Sequence, residues 1–335
     1  MTKKMGLLLL VLVLIISLTS CSASKPGQGK SIAMIADTGG LEDDSYNNSA
    51  YEGLIQAEEE FGVEIKVVES QTADDYELNL RIASEEGADL IFAIGHLLTE
   101  SVNNIANNLV DQEYAIIDET IEKDNVVSVT FKEHEGSFLV GVIAGLTTKS
   151  NIIGFIGGIQ TPQIEKYEYG FKAGVKSVNP NAEVLVNYIG AFDNPSLGNE
   201  AAVAQKQLGA DIVFEAAGAC GLGVIQAAGE QNFWVIGVDE DQSSEDPEHV
   251  LVSMIKRFDI AAYTLVKSMV DDTITDNKIE LGLEKNGVGY SDKAGNLPIQ
   301  AVNIAEKYKE AIINKEFEVP YDEDTYDVFA VYDVE

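Results

Sequence analysis

Two cysteines, three histidines and a single tryptophan in 335 residues remove several kinds of chemistry at the outset. Beyond residue 21 the chain has only Cys220, so no intramolecular disulfide forms unless Cys21 takes part. His96, His134 and His249 are scattered, with no metal-ligand spacing among them. Neither a Gly-x-Ser-x-Gly elbow nor a phosphate-binding loop is present. No base is placed to activate Cys220, which reads as a small buried thiol. Basic residues are also scarce: 22 Lys and Arg face 56 Asp and Glu, a formal charge of −34. Such a surface repels nucleic acid and anionic lipid head groups, and it disfavours phosphorylated ligands unless a local basic pocket intervenes. The expectation is therefore no catalysis, no cofactor, no metal site and no nucleic-acid partner.

Long apolar runs are missing as well, apart from residues 7–18, which are too few for a comfortable membrane span. Lys3-Lys4 precede this run and Leu18-Thr19-Ser20-Cys21 follows it, the pattern of a secretory signal over residues 1–20. The last four residues resemble the lipobox of bacterial lipoproteins, which implies cleavage before Cys21 and lipid on its thiol. Residues 21–30 are small or polar and read as a flexible tether. Cleavage would remove two lysines and no acid, leaving a charge of −36 on 315 residues.

What remains alternates short apolar runs with longer amphipathic stretches. Strands are expected at 31–36, 64–69, 90–94, 114–117 and 126–130, then at 152–156, 183–188, 212–215, 234–238 and 250–254. Helical periodicity covers 46–61, 74–86, 98–109, 162–178, 197–208, 221–231 and 258–271. Repeated strand–helix–strand units predict an α/β fold of two doubly wound parallel-sheet lobes, five strands each, with a ligand cleft between them. The chain is expected to cross between lobes several times. The first lobe takes 31–131 plus about 257–285, and the second takes 132–256 plus about 286–335.

Ligands in such sheets gather beyond the carboxyl ends of the strands. The residues there are Asp37-Thr38-Gly39-Gly40, Gly95-His96, Asp118-Glu119, Gly157-Gly158, Gly190-Ala191-Phe192-Asp193, Ala216-Ala217-Gly218 and Asp239-Glu240-Asp241. Glycine lets backbone approach a ligand closely, and carboxylates accept from hydroxyls or ring N–H groups. Plainer readings stand beside these. Asp44 and Ser45 suit the cap of the helix starting near Tyr46. Asp118 also fits a strand-end residue holding a loop, and Lys256 beside Arg257 fits a solvated pair on a hinge. Glu58–Glu60, 240–246 and 322–324 read as solvated acidic faces, and the 239–246 run lacks the pattern of a calcium loop.

The stretch from Asp37 through Tyr46-Asn47-Asn48 to Gly53 resembles the opening motif of the basic membrane protein (BMP) family of lipoproteins, whose purine nucleoside receptors feed ABC importers. Gly154–Gly158, Tyr169–Gly174, Gly190–Asp193, Ala216–Gly223, Gly237–Asp239 and Ser253–Arg257 follow in the family's order. The resemblance implies a type I periplasmic-binding-protein-like fold and capture of a nucleoside, purine above all, by cleft closure. It further implies a monomer that is held outside the cell membrane through Cys21 and served by permease and ATPase subunits. It matches Tyr46 to the first ring stacking on the base, where the family usually has Phe, so an added hydroxyl needs a partner. The second ring matches Phe192, with Phe214 as the alternative. Base-recognising carboxylates match Asp37 and Asp118, with Asn47 alongside. The ribose clamp matches Asp239 and Lys256, with backbone of Gly218. Ala219-Cys220 stand where the family often has Gly-Thr or Gly-Ser. Two other readings remain open: a protein of the same fold for a sugar or signal molecule, and a surface adhesin.

Overall fold

The computed structural model describes residues 25–41, 46–274 and 276–334. The signal segment, Cys21 and the capping residues Asp44 and Ser45 therefore lie outside the described residues.

Two sheets form where the apolar runs predict strands. The first contains β1 (Ser31–Ala36), β2 (Glu64–Glu69), β3 (Leu90–Ile94), β4 (Tyr114–Ile117) and β5 (Val126–Phe131). The second contains β6 (Ile152–Gly157), β7 (Glu183–Tyr188), β8 (Ile212–Ala216), β9 (Trp234–Asp239) and β10 (Val250–Lys256). Each sheet carries a sixth strand that the sequence does not reveal: β11 (Lys278–Leu281) in the first and β12 (Val288–Ser291) in the second. Both are four-residue edge strands, Lys-Ile-Glu-Leu and Val-Gly-Tyr-Ser, with too little apolar character to register as runs. The orders are β11-β5-β4-β3-β1-β2 and β12-β10-β9-β8-β6-β7. All pairings are parallel except β10 with β12. The two sheets thus repeat one doubly wound topology, with switch points between β1 and β3 and between β6 and β8.

Helices form in the seven predicted places and in three that sequence reading does not reveal, 133–147, 299–313 and 323–327. They are α1 (Tyr46–Phe61), α2 (Asp75–Glu85), α3 (Thr99–Asn108), α4 (Glu133–Thr147), α5 (Pro162–Val178), α6 (Pro195–Gln207), α7 (Cys220–Gln231), α8 (Phe258–Val270), α9 (Ile299–Ile313) and α10 (Glu323–Asp327). Helix α4 escapes sequence reading because it is buried on every side: residues 135–145 are all covered, so no amphipathic stripe exists. It packs against α5 at backbone distance. A Cβ added to Gly141, Gly170 or Gly174 would fall 2.3, 2.3 or 2.1 Å from a carbonyl oxygen of the facing helix.

The chain crosses between the sheets three times. It leaves β5 for α4, which lies with α5, β10 and β12, and leaves β10 for α8, which packs on α1. After β11 it returns to β12 and to α9, which covers α4. The crossings lie side by side, since Lys132 N donates to Leu281 O at 3.0 Å and Arg257 N to Gly287 O at 2.9 Å. The segment 322–324 is not simply a solvated face: Asp322 and Thr325 close a capping box on α10.

Candidate ligand-binding cleft

On the first lobe, Asp37 follows β1 and is 1% exposed. Its Oδ1 accepts from Asn47 Nδ2 at 2.8 Å and from Gly39 N at 2.9 Å, and its Oδ2 accepts from the Tyr46 hydroxyl. The hydroxyl at position 46 thus has its partner, and Asp37 fixes the first turn of α1. The Tyr46 ring stands over Gly95 at the end of β3, where an added Cβ would sit 3.4 Å from Cε2. The ring also neighbours Phe258, at 5.8 Å between centroids.

On the second lobe, the loop after β7 folds over the switch point. Phe192 O accepts from Cys220 N at 3.2 Å, and an added Cβ on Gly158 would lie 2.2 Å from the Phe192 ring. Only glycine leaves room there for the aromatic. Gly218, at φ +58°, passes beneath the same residue, its added Cβ 3.1 Å from Phe192 O. The Cys220 thiol is buried and turned toward this loop: Sγ accepts from Asn194 N at 3.2 Å and donates to Ala191 O at 3.5 Å. Position 220 therefore holds the Phe192 loop from below. Phe214, the alternative ring, is fully buried against Phe155, Phe171 and Tyr167, so it offers no face to a ligand.

A charged cluster joins the end of β4 in the first lobe to the ends of β9 and β10 in the second. Lys256 ends β10 and is 3% exposed, so it is not a solvated hinge residue. Its Nζ donates to Asp118 Oδ2 at 2.7 Å and lies 3.1 Å from Asp239 Oδ1. It also lies over the rings of Phe258, Phe131 and Tyr167 at 5.2–5.8 Å. Burial alone would lower the Lys256 pKa, but Asp118 and Asp239 outweigh it and hold the ammonium well above its usual range. For Asp118, burial drives the carboxyl upward, Lys256 opposes, and Glu133 and Asp239 add to the rise. The Tyr167 hydroxyl donates to Asp239 at 3.3 Å, and burial raises its pKa strongly.

Nearer the rim, Asn48, Ser49 and Glu52 of α1 face Glu240, Asp241 and Lys293 around a cavity of about 280 Å³. Burial lifts the Glu240 carboxyl to about 7, with the Ser49 side chain opposing and Asp239 adding to the rise. Asp241 caps the turn Gln242–Ser244 through Ser243 N at 3.1 Å. These acids are parts of the rim rather than a loose solvated run.

The structure therefore gathers Asp37, Tyr46 and Asn47 into one group, Phe192 and Gly218 into a second, and Asp118, Asp239 and Lys256 into a third. Phe258 links the first and third groups, touching Tyr46 and Lys256. Sequence reading missed Gln163, Lys166 and Tyr167 of α5, which border the charged cluster. Their signal is faint: polar tips spaced three and four apart in the first turns of a helix that starts beyond β6. Among the described residues no group of acids, histidines or cysteine is arranged to hold a metal ion, and no helix is long and apolar enough to cross a membrane.

Comparison with known proteins places the chain as a whole. The profile of the family described as ABC transporter substrate-binding protein, PnrA-like, matches residues 30–323. The chain is similar to the CD4+ T-cell-stimulating antigen of Listeria innocua, at 38% identity over 90% of this chain and 94% of that one. It is also similar to basic membrane protein D of Borreliella burgdorferi, at 31% identity over 94% and 95%. A solute-binding protein of an ABC transporter system from Aeropyrum pernix K1 superposes with a TM-score of 0.71 and 30% identity, over 89% of this chain and 95% of that one.

Proposed function

Given that the chain belongs to the PnrA-like family of ABC transporter substrate-binding proteins, we propose that it captures nucleosides, purine nucleosides first, between its two lobes and changes nothing covalent in them. The observation that carries the reading is the cluster of two carboxylates around one buried ammonium, with Tyr46 on one lobe and Phe192 on the other. Two acids against one cation leave local negative charge, which suits hydroxyl donors and rejects phosphate. Asp239 accepts from the ribose hydroxyls, with Lys256 and the Gly218 backbone alongside. Tyr46 and Phe192 stack on the base, each contact contributing about 1–3 kcal/mol. Asp37, Asn47 and Asp118 face the base edge. Ligand bound to both lobes stabilises the closed form, which permease and ATPase subunits then recognise. Lipid on Cys21 keeps the protein on the outer face of the cell membrane.

Calorimetric titration with inosine, guanosine, adenosine, a nucleoside monophosphate and a hexose tests this. Binding of at least one nucleoside, with the monophosphate far weaker, is expected. Silence with every nucleoside alongside clear heat from the hexose removes the reading.

A further inference from the structure

Asp118 stands at the end of β4 in the first sheet, yet both its carboxylate oxygens are held from the second. Oδ2 accepts from Lys256, and Oδ1 accepts from Gln163 Nε2 at 3.0 Å. Gln163 also lies within hydrogen-bond reach of the Asp118 carbonyl at 3.4 Å and of Glu133 at 3.3 Å. One turn on, Lys166 donates to the carbonyl of Phe131, the last residue of β5, at 3.0 Å. It also pairs with Glu133 at 3.0 Å and with Glu280 of β11 at 3.7 Å. Residues 163 and 166 share one face of α5 by their spacing. This face therefore reaches the ends of β4, β5 and β11, three strands of the opposite sheet.

We propose that this face of α5 is an interlobe strut, and that Gln163 is a positioning residue that holds Asp118 against the second lobe and so sets the balance of open and closed forms before any cargo arrives. The bonds are made wholly by this chain, so the strut favours closure whatever solute enters. A binding-competent closed form populated in advance raises apparent affinity in proportion to its fraction. Gln163 is only half-buried, and Thr161 and Pro162 cap the helix independently of it. Replacing it leaves α5 intact.

The test is Gln163→Met, which keeps length and removes the amide. Interlobe distance in the ligand-free protein, read from a pair of spin labels on α2 and α6, should shift toward wider separations. Nucleoside affinity by calorimetry should fall about tenfold, through faster dissociation. Helical content and the unfolding temperature should stay close to the parent's. An unchanged distance distribution overturns the proposal, and so does wider opening without loss of affinity in a parent that binds nucleosides. The distance measurement needs no ligand, so a parent that ignores nucleosides ends the functional reading while the strut is still judged.

Discussion

Asp118 and Asp239 occupy equivalent places in the two lobes, one just past β4 and the other the last residue of β9, each with a left-handed backbone, φ +73° and +67°, and each meeting Lys256. Aspartate tolerates this conformation better than most residues, and the turn brings the carboxylate back over the strand ends. A repeated topology thus brings two equivalent acids onto one cation that ends β10 beside a chain crossing. The charge balance between these two acids depends on the Lys256 ammonium.

Replacing it should expose the imbalance. Lys256→Met leaves Asp118 and Asp239 facing each other, and removing one member of a buried pair costs about 3–5 kcal/mol. The lower end applies, because the Asp239 side chain is 34% exposed. Adding Asp118→Asn to Lys256→Met should recover about half of the loss. Burial already lifts the Asp118 carboxyl, and without Lys256 it rises further. The parent's Asp118 titrates at about 7, whereas the native state of the single variant keeps that proton to higher pH, so the variant's deficit shrinks as pH falls from 9 toward 7 and changes little below. Denaturant melts at both pH values check this. A deficit that grows on acidification would show that the carboxylates are not the source.

The Tyr46 hydroxyl and ring act on different quantities. Tyr46→Phe removes the donor on Oδ2 of Asp37 in a site that is 1% exposed, which should cost about 1–2 kcal/mol of folding stability. The stacking face stays. Tyr46→Ala removes the ring and should weaken nucleoside binding by roughly 5- to 150-fold, the equivalent of about 1–3 kcal/mol. Melts and calorimetry on both variants separate the two. Equal affinity loss in the two variants would mean that the hydroxyl, not the ring, contacts the ligand.

Of the twelve strands among the described residues ten are legible from short apolar runs, unbroken in an interior strand such as Leu90–Ile94 and interrupted by polar residues in the edge strands Glu64–Glu69 and Glu183–Tyr188. Strands β11 and β12 are not, since Lys278–Leu281 and Val288–Ser291 owe their pairing to neighbours rather than to pattern. The site divides the same way. Asp37, Asp118, Phe192, Gly218 and Asp239 are visible by position, as residues just past strand ends. Tyr46, Asn47 and Lys256 enter only through the family resemblance, and the pairing of Asp118 with Lys256 and Gln163 is not legible at all, because those bonds span 138 and 45 residues. Local sequence holds no trace of such a meeting. The short acidic runs mislead for a related reason: Asp241 and Asp322 are caps, and a cap differs from a solvated acid only in the N–H groups brought beside it.

Glu215 gives a pH dependence that no motif announces. It lies in β8, fully buried, with its carboxyl beneath the start of α7, where an added Cβ on Gly221 would come within 2.3 Å of Oε2. Oε2 accepts from Ala217 N at 3.1 Å, and Oε1 has no partner among the described residues. Burial lifts its pKa from 4.5 to about 8, against the pull of the Ala217 N–H and with a further push from Asp239. A raised carboxyl means that the native state keeps its proton while the unfolded chain loses it near pH 4.5. Its contribution is complete below that value and is lost as pH climbs through about 8. Glu215→Gln keeps the shape and cannot ionise. Relative to the parent, the variant should gain stability across pH 5–8, by up to roughly 1.4 kcal/mol for each pH unit, and the gain should level off above that range. Thermal melts of the two proteins at matched ionic strength measure the difference directly. Parallel profiles, or a parent that gains on the variant as pH rises, would mean that Glu215 carries its charge in the folded protein and has a partner other than Ala217.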